Sequence, residues 1–117
     1  MSAWQNFAMG WLVADNRVLA TVEFADTWQT RVRGLVGREQ LEGALVLRPA
    51  RSVHTFGVRF PIDVAFVDSD MVVLDVVTMA QNRVGKPRWR SVMVIEAPKA
   101  SFERWGVSIG DQLELRQ

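Results

Sequence analysis

Ile62-Asp63-Val64-Ala65-Phe66-Val67-Asp68-Ser69-Asp70-Met71-Val72-Val73-Leu74-Asp75-Val76-Val77-Thr78-Met79 is the stretch of the chain that decides its fold. Ile62, Val64 and Phe66 alternate with Asp63, Ala65 and Val67, which is the two-residue period of a strand. Asp68-Ser69-Asp70 is turn chemistry, because short polar side chains bond nearby backbone N–H groups. Met71 to Met79 then resumes with Asp75 as its single charge, the composition of a strand covered on both faces. The stretch predicts a β-hairpin.

Toward the N-terminus, Met9, Trp11 and Val13 alternate, Asp15-Asn16-Arg17 interrupts, and Val18, Ala20, Val22 and Phe24 alternate again. This predicts another hairpin, with Trp11 facing inward. Asp26 or Thr27 then offers an oxygen to free helix N–H groups, and Trp28, Val32, Leu35 and Val36 fall at helical spacing. A short helix is expected from about Thr27 to Val36, with Trp28 in the core and Gly37 as terminator. The internal Gly34 costs such a helix about 1 kcal/mol relative to Ala, so either the helix ends near it or another segment packs close. Ala44 to Leu47 reads as a strand stopped by Pro49.

Toward the C-terminus, Gly85, Pro87, Arg83, Lys86 and Arg88 mark a basic surface loop between Ala80 and Trp89. Ser91 to Glu96 reads as a strand and Pro98 as the first residue of a helix. On that helix Phe102 and Trp105 share a core-facing side, and Gly106 ends it. Leu113 and Leu115 point inward from a last strand. With roughly seven or eight short strands and two short helices, the strands outnumber the crossovers of a parallel α/β sheet. The expected fold is α+β and mainly β, a small, partly closed antiparallel β-barrel-like domain, residues 1–117 forming a single unit.

Composition narrows the chemistry. The 117 residues contain no cysteine and one histidine, which removes disulfides, thiolate metal sites and cysteine nucleophiles, and denies any two-histidine metal site. No cofactor or metal is expected. Fourteen basic against thirteen acidic residues leave a net charge of +1, too little for whole-surface attraction to nucleic acid or acidic membranes. The longest apolar runs span a few residues, far below the about 20 that cross a bilayer. Met1 to Val13 lacks the basic start and small-residue cleavage site of a signal peptide, so a cytoplasmic location is expected.

Within Val53 to Asp63 lie the one histidine, Arg59, Asp63, Phe56 and Phe60, with Gly57 and Pro61 to bend the chain. If that bend brings His54 and Asp63 together across neighbouring strands, a carboxylate beside the imidazole suits general acid or base work. The alternative is two residues that bond backbone and hold a turn. Basic residues fall in two groups, Arg48, Arg51 and Arg59, then Arg83, Lys86, Arg88 and Arg90. Flanking one cavity mouth they would form a cationic rim for carboxylate or phosphate ligands; otherwise they are solvated loops. Of five tryptophans, Trp11, Trp28 and Trp105 read as core, and Trp4 and Trp89 as exposed. Phosphate-loop, dinucleotide and nucleophile-elbow motifs are absent. Ser52, two residues before His54, has no visible oxyanion hole.

Several ordered pieces carry a resemblance: Ala25-Asp26-Thr27 through Arg31, Arg33-Gly34-Leu35-Val36-Gly37-Arg38, His54-Thr55-Phe56, Pro61-Ile62-Asp63, Glu96-Ala97-Pro98 and Gly106-Val107-Ser108-Ile109-Gly110-Asp111. Together, from about residue 18 to 115, they resemble the DUF192 family of small bacterial and archaeal domains. The resemblance implies a small β-barrel-like α+β domain from a family without an established activity. It carries the family's arginine–glycine helix motif onto Arg31, Arg33, Gly34, Leu35, Gly37 and Arg38, and its later pieces onto His54, Phe56, Pro61 and Asp63. Where many members have an aromatic and a Met, then Asn-Thr, this chain has Gly57, Val58, Arg59 and Phe60. The resulting expectation is a binding or accessory module for a small anionic ligand or partner peptide, monomeric or weakly dimeric. Its site would comprise Arg31, Arg33, Arg38, His54, Phe56 and Asp63, with Arg59, Arg88 and Trp89 at the rim. The second reading is a small hydrolase or lyase using His54 and Asp63 as an acid–base pair.

Overall fold

The computed structural model describes residues 8–117. The central hairpin forms as its period predicts: β4 (Ile62–Val67) pairs antiparallel with β5 (Val73–Met79), with Val64 opposite Val77. Every residue of β4 is buried, because its even-numbered side chains and its odd-numbered ones enter different cores. Ile62, Val64 and Phe66 pack with Leu35, Leu45, Leu47, Val53, Val58 and Val94. Ala65 and Val67 pack with Leu12, Val22, Phe24, Val46, Ile95 and Phe102. β5 lies at one end of the sheet, and only Val73 and Met79 of its seven residues are fully buried. Double coverage therefore belongs to β4 and not to its partner.

The remaining described elements are β1 (Ala8–Ala14), β2 (Arg17–Ala25), α1 (Trp28–Arg33), β3 (Ala44–Leu47), β6 (Met93–Pro98), α2 (Ser101–Trp105) and β7 (Glu114–Arg116). The seven strands run in the order β5-β4-β6-β3-β2-β1-β7, antiparallel throughout except for β2 beside β3. The sheet curls toward closure without completing it. Val73 N–H donates to the Asp111 carbonyl at 2.9 Å and Leu113 N–H to that of Met71 at 2.8 Å, so the segment leading into β7 bonds the far end of the sheet. These bonds satisfy edge groups that would otherwise be open to pairing. α2 lies on the inner side, where Phe102 is buried and meets Trp105 edge-on at 5.4 Å. No helix among the described residues is long and apolar enough to cross a membrane.

Local chemistry explains several boundaries. Asp15 and Asn16, both at positive φ (51° and 61°), make the two-residue turn between β1 and β2, a geometry that matches strand twist. Thr27 caps α1: its Oγ1 accepts from Thr30 N–H at 3.2 Å, while the Thr30 hydroxyl accepts from Thr27 N–H at 3.1 Å. The helix ends at Gly34 (φ 46°), three residues before the expected Gly37. Pro98 does not open a helix; it ends β6 opposite Ile62, and α2 begins at Ser101.

Two tryptophans expected in the core are outside it. None of the six residues of α1 is buried, and Trp28 is 64% exposed; Leu35, beyond the helix, fills the core instead. Trp11 is 48% exposed, and the cause is Gly10. A Cβ there would strike the Arg116 carbonyl oxygen and come within 2.7 Å of the Phe24 ring, so the Gly10 side of β1 faces in and Met9 and Trp11 face out. A bulge between Leu12 and Val13 then turns both of those residues inward. Trp4 lies outside the described residues.

Candidate functional site

The site sits on the outer face of the sheet, under α1. A cleft of about 80 Å³ is lined by Arg31, Val32, Arg33, Gly34, Leu35 and Val36 on one wall and Ser52, Val53, His54 and Val58 on the other, with Leu47 and Glu96 from the sheet. Cross-strand register places the floor. Leu45 of β3 stands opposite both Glu23 of β2 and Glu96 of β6, so Glu23, Leu45 and Glu96 form one row facing α1. Glu96 is 3% exposed. In the run Met93-Val94-Ile95-Glu96-Ala97 it is the one acid, and strand alternation turns it away from the core that takes Met93, Ile95 and Ala97.

Glu96 is electrostatically unusual. Burial pushes its carboxyl up to about 8, against a smaller opposing pull from the Arg38 guanidinium. Arg38 cannot compensate fully because it is committed elsewhere: its guanidinium donates to both Glu23 carboxylate oxygens, at 2.6 and 3.3 Å. The positive charge is largely cancelled before it reaches Glu96, and the carboxyl holds its proton at neutral pH. No hydrogen bond from a described residue reaches the Glu96 side chain, and the carboxyl borders the cleft.

The other sequence-selected residues divide into groups. Arg31 lines the cleft with one nitrogen held at 3.1 Å by the carbonyl oxygens of Asp26 and Arg48, and Arg33 lines it beside Arg31. His54 is exposed at the mouth; its Nδ1 accepts from Phe56 N–H at 3.2 Å, which requires the tautomer with the proton on Nε2. The Phe56 ring is half exposed and lies 5.8 Å from that of His54. The bend at Gly57 does not bring His54 to Asp63. Asp63, an odd-numbered residue of β4, points to the α2 side, accepts from the Thr78 hydroxyl at 2.8 Å, and lines a different cavity with Lys99, Phe102, Glu103 and Ser108. The acid–base pair has no geometric basis, since the sheet separates its members.

The two basic stretches do lie side by side. Thr55 N–H donates to the Arg83 carbonyl, Gly85 N–H to that of Val53 and Arg88 N–H to that of Arg51, each at 2.8 Å. Much of their charge is nevertheless paired. Arg88 turns in to Asp75 at 2.6 Å and stacks 4.2 Å over the Phe66 ring, away from the rim; Arg48 pairs with Asp26 at 2.9 Å, and Arg59 stands 3.8 Å from Glu39. Trp89 is 77% exposed and does not line the cleft. Next to the cleft, and sharing Ser52, Val53 and His54 with it, is an open depression of about 320 Å³ completed by Phe56 and Val84. Among the described residues no group of three or more His, Asp and Glu side chains is placed to hold a metal ion.

These features define a class: a small, mainly β domain with a curled, unclosed seven-stranded sheet and a short helix over a cleft floored by a buried glutamate. The chain belongs to the DUF192 family (Uncharacterized ACR), whose family model matches residues 11–115. It is 31% identical over 98 residues to a UPF0127 protein of the archaeon Pyrococcus furiosus, covering 80% of this chain and 84% of that one. It is 33% identical over 96 residues to a UPF0127 protein of Thermococcus gammatolerans, covering 77% and 63%. Its fold matches a Sinorhizobium meliloti structure for which a transcription-regulator role has been suggested (TM-score 0.80, 22% identity, 93% and 95% of the two chains). It also matches a Novosphingobium aromaticivorans protein of unknown function (TM-score 0.76, 19% identity, 92% and 84%).

Proposed function

We propose that the chain is a binding module whose ligand, a small anion or the anionic end of a peptide, enters the cleft under α1. The observation that carries this reading is Glu96: a carboxyl 3% exposed, without a hydrogen bond from any described residue, bordering a cavity walled by Arg31, Arg33 and His54. A polar group so little exposed and without a hydrogen bond from a described residue costs up to about 1–3 kcal/mol unless water or a ligand bonds it. Folds keep such groups where a ligand or water completes them. The protonated acid offers one donor and one acceptor to that ligand, and the arginines supply positive potential at the mouth. The separation of His54 from Asp63 argues for binding over acid–base turnover.

The test is an amide chemical-shift titration of the ¹⁵N-labelled chain with inorganic phosphate, acetate, succinate and short acidic peptides. Shifts clustered on residues 31–36, 52–58 and 96, lost in Glu96→Leu and retained in Asp63→Asn, support the assignment. Shifts clustered on the Asp63 cavity, or none from any probe, refute it.

A further inference from the structure

Resting on that binding reading, we propose that the ligand is a carboxylate with an apolar tail: the carboxylate enters the cleft to meet the Glu96 carboxyl beside Arg31 and Arg33, and the tail lies over Phe56 and Val84. Three observations converge on this class. The first is the sign of the charged groups around the cleft that Glu96 borders. Arg31 and Arg33 line the cleft from α1 and Arg38 acts on Glu96 from the turn that follows; among the described residues Glu96 is the one acid lining the cleft, and Glu23 is bound to Arg38. A cationic head group would enter against these guanidiniums. An anionic one is drawn by them.

The second is the state of Glu96. A carboxyl that keeps its proton at neutral pH donates O–H to a ligand carboxylate, a charge-assisted bond that is short and strong. The proton stays on the Glu96–ligand pair, and no covalent bond changes. The third is shape. The inner cleft, about 80 Å³, suits a head group, and the adjoining depression of about 320 Å³ offers an apolar shelf. Phe56 and Val84 on that shelf are 50% and 70% exposed, and Val32, 65% exposed, borders the cleft on the other side. A small polar pocket opening onto an apolar shelf selects an amphiphile. A free aryl or alkyl carboxylic acid and the C-terminal carboxylate of a peptide with an apolar last residue share this chemistry.

The experiment is calorimetric titration of the full chain between pH 6 and 9 with 3-phenylpropionate, 3-phenylpropylamine, and the tripeptide Ala-Ala-Phe with a free or amidated C-terminus. At least one carboxylate is expected to bind, the amide at least tenfold more weakly, and the tighter carboxylate identifies the source. Because the bound form retains the Glu96 proton, Kd should weaken above pH 8 by up to about tenfold per pH unit, with proton uptake on binding. Glu96→Gln, which keeps a neutral donor, should bind without that pH dependence, and Glu96→Leu should not bind. Phe56→Ala should weaken binding by roughly fivefold through lost apolar contact, with an unchanged urea midpoint. Equal binding of amide and acid, tighter binding of the amine, or proton release overturns the carboxylate assignment while leaving the cleft a binding site. If neither carboxylate binds, the assignment also falls, and the broader reading is decided separately by the phosphate, acetate, succinate and acidic-peptide titration.

Discussion

Glu96→Gln should abolish a pH dependence of stability that the wild-type chain shows between about pH 4.5 and 8. Burial lifts the Glu96 carboxyl from 4.5 to about 8 in the folded chain, whereas the unfolded chain ionises it near 4.5. Below 4.5 both states carry the proton and Glu96 favours neither. Between 4.5 and 8 the folded state retains a proton that the unfolded state has lost, so stability falls as pH rises. The span of about 3.5 pH units, at about 1.4 kcal/mol each, sets an upper bound of roughly 5 kcal/mol above pH 8. At pH 7 the corresponding figure is about 3 kcal/mol. Gln keeps the shape and cannot ionise. Urea unfolding of both proteins at pH 5, 6, 7 and 8 should give midpoints that lie close together at pH 5 and separate with rising pH. The variant should gain about 1–3 M at pH 7, for a slope of about 1–3 kcal/mol per M. Profiles that stay parallel from pH 5 to 8 would refute the reasoning, because they would mean that Glu96 ionises alike in both states.

Other substitutions address the sheet and its coverings. Gly10→Ala should lower stability by about 1–3 kcal/mol, as seen by the urea midpoint, because the new methyl meets the Arg116 carbonyl and the Phe24 ring. Arg88→Ala should cost about 1–2 kcal/mol by the same assay through loss of the Asp75 pair and of the contact over Phe66, the pair's partial exposure limiting its share. Trp28→Ser should change stability by less than about 0.5 kcal/mol, whereas Phe102→Ala, which empties a fully buried position, should cost about 3–5 kcal/mol; calorimetric melting separates the two.

The hairpin of β4 and β5 was legible because two strongly apolar runs flank the turn chemistry of Asp68-Ser69-Asp70, whereas the half exposure of β5 follows from its place at the end of the sheet. The facing of β1 was not legible, since Met9-Gly10-Trp11-Leu12-Val13 offers apolar residues in both phases. What decides the phase is the Phe24 ring lying on Gly10 and a one-residue bulge, a tertiary contact and a local irregularity that no period encodes. Trp28 misled for a related reason. Its helical spacing to Val32 and Leu35 is real, but the helix stops at Gly34, so Leu35 leaves the phase that would have carried Trp28 inward with it.

At the site, His54, Arg31 and Arg33 drew attention by residue type, and they do share one cleft. Asp63 was grouped with them by nearness in sequence, although its odd-numbered place on β4 sends it through the sheet to Thr78. Glu96 enters the sequence reading only as the end of a strand and within the Glu96-Ala97-Pro98 piece, not as a site residue. The signal was present in a lone acid at an alternating buried position, and such a residue is either paired or protonated. Its Arg38 neighbour, already bound to Glu23, becomes visible only when β2, β3 and β6 are placed side by side.

A ¹³C-detected titration of the Glu96 side-chain carboxyl, alone and with saturating 3-phenylpropionate, tests the central claim most directly. The buried, proton-bearing carboxyl is predicted to titrate near pH 8 and to move higher when the carboxylate is bound. A midpoint near the ordinary 4.5, or one that falls on adding the probe, would contradict the account.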